Sequence, residues 1–570
     1  VADVFGDPPA DSTDDRDIAR ARAFTQDTVK AWWDAMVATG NPLATVFACP
    51  MPMPELPANE RARAHATGAG LAALPVQTAV AKIGHLYTQS LPSKFRSRRG
   101  IFYTPPLLVS RLLDLATSTG IDWKTAHVIS PSCGGGAFLI EDADRMSNAM
   151  DKADPDRVVA SVGSRLRGWD SDPFACWLSQ VAVEAVLLPQ VIASGTRLPK
   201  ICECRDSLLD DWTAHSGRYD LVNDNPAFGK VTKSAALAER FSRSQHGHLN
   251  LYAMFVDLAV HLAKPGGGVI AYLTPTSYLA GGYFAKLRGL LCASARPVAI
   301  DLVASRHDVF PEVLQEIALS CFMRDSLNKT ARCKNVHIEP DRLRIEDGGE
   351  LVLPGSPRAP WIIARNPQSI PIVSAMRSMT TRLSDWGYRI KTGPLVPHKN
   401  RGRLHAQPGE SCVPVIWAES IPTTGGRFAV RCQRSGRMAW YRPTGEADPN
   451  VSCQPALLLQ RTTAKEQSRR LIGAVLSEAH ILAAGGRVAV ENHLNMVVPT
   501  TGTPIISFDQ LARFFASDAA DRAFRCLSGS VAVSASELEA LPVPSASELS
   551  FALANVDPED LLLRLYGTRA

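Results

Sequence analysis

Between residues 126 and 273 five short apolar runs recur, near 126–130, 166–170, 200–204, 219–223 and 268–273, with helical stretches between them. Strands joined through helices cannot pair as hairpins, so these runs are expected side by side in a parallel sheet with helices on both faces. Phe174 to Leu188 carries the clearest amphipathic helical pattern. Two further apolar runs, Pro297 to Ala304 and Glu316 to Met323, flank Arg306-His307-Asp308-Val309-Phe310 and are expected to pair as a terminal hairpin. The predicted fold class is α/β with a Rossmann-like sheet, in which ligands gather beyond the carboxyl ends of the strands.

The residues at those ends carry the chemistry. Val128-Ile129-Ser130-Pro131-Ser132-Cys133-Gly134-Gly135-Gly136-Ala137-Phe138-Leu139 is an apolar strand running through a glycine cluster into a helix. Such a turn lets a cofactor approach the backbone, yet alone it fits a nucleotide, a flavin or no ligand. Leu166-Arg167-Gly168-Trp169-Asp170 ends in an acid placed for a ribose diol, whereas Asp172-Pro173 reads as a helix N-cap. Asp206, after the strand Ile201-Cys202-Glu203-Cys204, is a candidate acceptor for an adenine amino group, or another cap. Tyr219-Asp220-Leu221-Val222-Asn223-Asp224-Asn225-Pro226-Ala227-Phe228-Gly229 ends in an amide, a proline and an aromatic ring. Asn225 Oδ1 and the Pro226 carbonyl can each accept a hydrogen from an exocyclic NH2, drawing its lone pair out of conjugation. Phe228 offers a flat face for an unstacked base, a contact worth about 1–3 kcal/mol. Asn-Pro after a strand is also an ordinary turn; the glycine loop upstream favours amine methylation.

In this order the motifs resemble those of the gamma-class adenine-N6 DNA methyltransferases of bacterial restriction-modification systems, over nearly the whole chain. The resemblance implies a class I S-adenosylmethionine-dependent methyltransferase sheet and S-adenosyl-L-methionine as cofactor. Gly100-Ile101-Phe102-Tyr103-Thr104-Pro105-Pro106 is similar to the family's opening motif, so Tyr103, Thr104 and Pro105 are implied in cofactor binding. Ser130, Pro131, Cys133, Gly134, Gly136, Asp170, Asp206 and Ser207 complete the implied cofactor set. Asn225, Pro226 and Phe228 are the implied catalytic residues. His248 to Phe255, Lys264 to Ala271 and Thr274 to Tyr278 resemble the helix, strand and loop that follow. Gln460-Arg461-Thr462-Thr463-Ala464-Lys465-Glu466 and Glu491-Asn492-His493-Leu494-Asn495 are similar to the branch containing the PstI and BsuBI methylases. Two positions depart from the pattern. Ser130 stands where the family usually has an acid that helps orient the cofactor. Ala227 replaces a second proline, a change expected to be tolerated because the acceptor there is the Pro226 carbonyl.

Residues 391–470 hold 13 Lys/Arg against 5 Asp/Glu, in a chain whose net charge is only +5. Arg427, Arg431, Arg434, Arg437 and Arg442 interleave with Phe428, Trp440 and Tyr441, a composition that suits nucleic acid. Lys399, Arg401, Arg403, Arg427, Arg434, Arg461 and Lys465 are therefore the candidate DNA contacts of a target-recognition domain over 371–570, mixed α/β in character. The basic stretch Lys94 to Arg99 is a second candidate for phosphate contact, or a solvated face. The remaining divisions are a solvated, poorly ordered acidic start to about residue 20, a helical region over 21–93 and a catalytic domain over 94–370. Asp325 to Ser369, rich in proline, glycine and charge, reads as a connecting insertion or linker.

The 12 cysteines are scattered without a Cys-x-x-Cys pair, so neither a zinc site nor a disulfide framework is indicated. No apolar run of membrane-spanning length occurs and the acidic start lacks a signal-peptide pattern, so a cytoplasmic enzyme is expected. The expected activity is transfer of methyl from S-adenosyl-L-methionine to N6 of a flipped adenine in a short duplex site. A monomer suffices for it. No nuclease arrangement of Pro-Asp and Glu-x-Lys is evident, so any cleavage is expected of a separately encoded endonuclease, and an orphan regulatory enzyme without one is the alternative. The alternatives are methylation of an RNA base, or a noncatalytic DNA-binding specificity module of the same fold.

Overall fold

The computed structural model describes residues 12–37, 46–229, 231, 234–304, 316–426, 428, 438–463, 467–500 and 502–568. Its centre is a nine-stranded sheet of β1 (Val128–Ser130), β2 (Leu166–Asp170), β3 (Cys202–Cys204), β4 (Leu221–Asp224), β5 (Val269–Pro275), β6 (Ala295–Val303), β7 (Ile317–Arg324), β8 (Thr330–Ile338) and β9 (Leu343–Val352). The strand order is β3-β2-β1-β4-β5-β7-β6-β8-β9. β1 to β5 are mutually parallel, and β7 lies antiparallel between β5 and β6. The order reverses between β1 and β4, so the loops leaving these two strands diverge and open a crevice.

Both faces of the sheet are buried, as the near-continuous apolar strands require. Val128, Leu221, Val269 and Ala271 point into one core, while their neighbours Ile129, Val222, Ile270 and Tyr272 point into the other. The first core is covered by the helices Pro106–Ser118, Ala137–Asn148 and Pro155–Arg165. The second is covered by Leu251–Leu262 and Ala285–Ser294. The helix Pro173–Val186 starts at the expected cap, with Asp172 Oδ1 accepting from Phe174 N–H at 2.9 Å.

The amino-terminal helices pack on that helix rather than standing apart. Trp32, Trp33, Val80, Ile83 and Tyr87 share a core with Phe174, Trp177 and Val181. The first helix spans Ser12–Met36, so residues 12–20 are not the solvated start expected of them. Ile18 and Ala21 are buried against the neighbouring helices while Asp15 and Asp17 among them stay exposed, so an acidic composition hides a packed helix. Residues 1–11 lie outside the described residues.

The expected linker is also corrected. Thr330–Ile338 and Leu343–Val352 extend the sheet, β8 running parallel to β6 and β9 antiparallel to β8. Ala331, Cys333 and Asn335 are buried while Arg332 and Lys334 between them stay nearer solvent, an alternation that charge-rich composition disguises.

The carboxyl-terminal part contains β10 (Tyr388–Thr392), β11 (Leu404–His405), β12 (Val413–Ile416), β13 (Trp440–Tyr441), β14 (Val451–Ser452), β15 (Ala456–Gln460), β16 (Gly473–Leu476), β17 (Val488–Val490) and β18 (Leu494–Pro499). They form a sheet of order β10-β18-β15-β16 and another of order β11-β13-β12-β17-β14. Helices Phe508–Ala516, Asp518–Leu527 and Ala546–Ala554 bury Phe514, Phe524 and Leu549 against the first of these sheets. Arg365 joins this part to the central sheet, donating to Cys526 O at 2.6 Å and to Glu316 at 3.2 Å.

Among the described residues no single helix is long and apolar enough to cross a membrane. The bent pair Pro173–Val186 and Leu188–Ser194 is apolar enough by composition, and its residues lie largely inside the fold.

Candidate active site

A cavity of about 180 Å³ opens at the switch point between β1 and β4. Of the residues singled out in the sequence, Tyr103, Thr104, Pro131, Cys133, Gly134, Asp170, Asp206, Ser207 and Asn225 line it. Pro105, Ser130, Gly136, Pro226 and Phe228 stand behind the wall. Pro105 caps the helix Pro106–Ser118. Pro226 is buried directly after Asn225. Phe228 is part-buried between the two cores, edge-on to Tyr252 with ring centroids 6.3 Å apart.

The glycine loop is shaped by its neighbours. Gly136, at φ +89°, turns the chain into the helix Ala137–Asn148, and a Cβ there would approach Ser179 to within 3.0–3.2 Å. At Gly134 a Cβ would meet no protein atom within 4 Å, so that part of the loop is open. Gly134 N–H donates to Asp170 Oδ2 at 2.9 Å, and Asp172 N–H to Asp170 Oδ1 at 2.9 Å. Ser207 Oγ donates to Pro131 O at 2.5 Å beneath the loop. Asp206 caps its own turn, accepting from Leu208 and Leu209 N–H at 3.0 and 3.1 Å, and still lines the cavity.

Asn225 is held by its side chain. Its Nδ2 donates to Thr104 Oγ1 at 2.9 Å, and Thr104 is only 3% exposed. With the NH2 end pinned, Oδ1 is the end available to a ligand. Thr104, placed by sequence with the cofactor, therefore also orients the amide. Asp224, immediately before it, accepts from Asn225 N–H at 2.8 Å and from Ser132 N–H and Oγ–H at 2.5 and 2.6 Å. Burial pushes its carboxyl up to about 7, against the pull of those bonds. Behind it Asn223 Nδ2 donates to both oxygens of Asp142 at 2.8 and 2.9 Å. Burial raises Asp142 to about 8, with the Asn223 bonds opposing. Ser130 is fully buried, and its Oγ has no hydrogen-bond partner among the described residues.

Several lining residues had no signal in the sequence. Gly84, Tyr87 and Thr88 come from the helix Val76–Ser90, and Tyr103 lies so close that a Cβ on Gly84 would fall 2.4 Å from its ring. Arg205 sits over the Trp169 ring at 4.3 Å and also lines the cavity. Asp224 had one readable signal, an acid at the buried end of a strand, which the neighbouring Asn225 overshadowed.

The basic candidates lie in the other half. Lys399, Arg401 and Arg403 are exposed in two 3-10 turns, Pro397–Lys399 and Arg401–Arg403, that lead into β11. Arg461 is half-buried, donating to Asn492 O at 3.1 Å. Arg427, Arg434 and Lys465 lie outside the described residues, as do Arg431 and Arg437.

A profile of the Eco57I restriction-modification methylase family matches residues 190–310, a stretch that starts before β3, includes the Asn225 loop and runs past the end of β6. The chain is 25% identical over 356 residues to the type II methyltransferase M.PstI of Providencia stuartii, covering 60% of this chain and 68% of that protein. It is 22% identical over 478 residues to the type II methyltransferase M.BsuBI of Bacillus subtilis, covering 79% and 89%. In sequence the chain is thus similar to the type II restriction-modification methylases. Its α/β fold is shared with solved structures of restriction-modification enzymes. The type IIL enzyme MmeI in complex with DNA superposes with a TM-score of 0.55 at 12% identity, over 95% of this chain and 82% of that one. The DrdV–DNA complex gives a TM-score of 0.51 at 10% identity, over 87% and 61%.

Proposed function

We propose that this methylase transfers a methyl group from S-adenosyl-L-methionine to N6 of an adenine flipped out of a short duplex DNA site. The observation that carries this reading is Asn225 lining the same cavity as the glycine loop, with its amide turned by Thr104 so that Oδ1 is left to accept. The residues present fit the cofactor: an open glycine turn at Gly134, the Asp170 carboxylate at the end of β2 for a ribose, and Asp206 at the end of β3 for an adenine amine. When bound, the cofactor supplies an electrophilic methyl on a sulfonium.

The protein's own part is to make the amine a nucleophile and to keep it in place. Asn225 Oδ1 and the Pro226 carbonyl accept the two N6 hydrogens, and Phe228 carries the base face. Flipping costs a few kcal/mol, offset by these contacts. Orientation and exclusion of water supply most of the rate, so no strong general base is required. The exposed Lys399, Arg401 and Arg403 neutralise DNA phosphates, in line with domains of 94–370 for catalysis and 371–570 for recognition.

The test is modified-base sequencing of plasmid DNA from a methylation-deficient host expressing the wild type or Asn225→Ala. Methylated adenine in one short motif, present with the wild type and lost with the variant, supports the reading. Unmodified DNA beside folded, cofactor-binding protein refutes it and points to an RNA substrate.

A further inference from the structure

Asp224 ends β4 and is 1% exposed, yet it lines the cavity between the two loops that carry the proposed reaction. Each of its oxygens serves a different loop. Oδ2 accepts Ser132 N–H and Oγ–H at 2.5 and 2.6 Å, at the head of the glycine loop. Oδ1 accepts Asn225 N–H at 2.8 Å, at the head of the catalytic loop. β1 itself brings no carboxylate to this place, because it ends in Ser130, whose buried hydroxyl has no bonding partner among the described residues. Three donors converging on two oxygens are satisfied by an ionised carboxylate. Protonation would set an O–H against backbone N–H groups that cannot accept it.

The titratable groups facing Asp224 are Asp170 from the end of β2, Asp142 from the helix Ala137–Asn148 and Tyr272 from β5. Two are acids and the third is a phenol. Burial among them holds Asp224 near neutrality, at about 7, so the joint is charged above that pH and uncharged below it.

We propose that Asp224 is a positioning residue that fixes the glycine loop to the Asn225 loop, so that its ionisation sets cofactor affinity. This rests on the methyltransferase reading above. Above neutral pH the three bonds keep the loops in register, and the cavity presents the wall that the cofactor needs. Below it the Ser132 bonds weaken and the glycine loop is released from β4.

The experiment is equilibrium binding of S-adenosyl-L-homocysteine to the full chain by calorimetry from pH 5.5 to 8.5. This ligand cannot turn over, so affinity is read apart from activity. Wild-type affinity should fall about tenfold as pH drops through neutrality, the effect of losing one or two charge-assisted bonds. Asp224→Asn places an NH2 against one of the N–H donors, and should bind about tenfold more weakly at pH 8.5 with little further change on acidification. Asp142→Asn should keep the wild-type profile. Ser132→Ala removes one donor to the carboxylate and should move the midpoint of the profile to higher pH; it decides the matter if Asp224→Asn does not fold. Asp224→Asn binding like wild type across the range, or a Ser132→Ala midpoint that does not move, overturns the inference alone. A wild type that binds no S-adenosyl-L-homocysteine at any pH overturns the methyltransferase reading, and the inference with it.

Discussion

Thr104→Val tests how far the orientation of one amide controls the proposed reaction. Thr104 Oγ1 accepts from Asn225 Nδ2 at 2.9 Å in a position that is 3% exposed, so solvent has little room to replace it. Valine keeps the shape and removes the acceptor. The Asn225 amide then loses its preference for the orientation with Oδ1 toward the substrate amine. A neutral hydrogen bond with a part-buried donor left unsatisfied is worth about 1–2 kcal/mol. At 1.36 kcal/mol per decade this lowers the methyl-transfer rate roughly 5- to 30-fold at saturating cofactor. Thr104→Ser keeps the hydroxyl and should restore the rate to within about threefold of wild type. The assay is single-turnover transfer of labelled methyl to unmethylated plasmid DNA, with enzyme in excess. A wild-type rate for Thr104→Val, or equal losses in the valine and serine variants, would refute the reasoning, because the hydroxyl would then have no part in orienting Asn225.

Three further outcomes follow from the structure. Gly84→Ala sets a methyl 2.4 Å from the Tyr103 ring, so Tyr103 must shift out of the cavity wall; an overpacking cost of about 1–3 kcal/mol should appear as a lower thermal midpoint together with weaker cofactor binding. Replacing Lys399, Arg401 and Arg403 together by Gln should reduce the slope of log affinity for duplex DNA against log salt by up to about 3, near 0.9 per lost phosphate contact; an unchanged slope would remove this loop from the DNA interface. Asp142 is raised to about 8 by burial while the unfolded chain titrates near an ordinary carboxylate. The folded state therefore holds the extra proton between about pH 4 and 8, and stability falls with rising pH by about 1.4 kcal/mol per unit from this group. Asp142→Asn removes that slope, so thermal midpoints measured from pH 5 to 8 should show the variant gaining steadily on the wild type.

The central sheet was legible because its strands are buried on both faces and each ends in a turn with its own chemistry. Val128–Ser130, Leu166–Asp170 and Leu221–Asp224 stand where their apolar runs were read, and Asp172 caps its helix through a bond that local sequence alone specifies. Local signals failed where charge hid an alternation, as in Thr330–Ile338, and where acids interspersed along the first helix concealed buried Ile18 and Ala21. Sequence by itself determined the order of the motifs, the glycine turn and the Asn225-Pro226 pair, since each depends on neighbours a few residues away. Only the tertiary structure decided which side chains meet. Thr104 reaches Asn225 across 121 positions and Ser132 reaches Asp224 across 92, and Gly84 joins the cavity from a helix with no motif of its own. Such contacts depend on the reversal of strand order between β1 and β4 and on how the amino-terminal helices pack over it. Both arise from burial of apolar surface summed over the whole chain, which no short stretch of residues encodes.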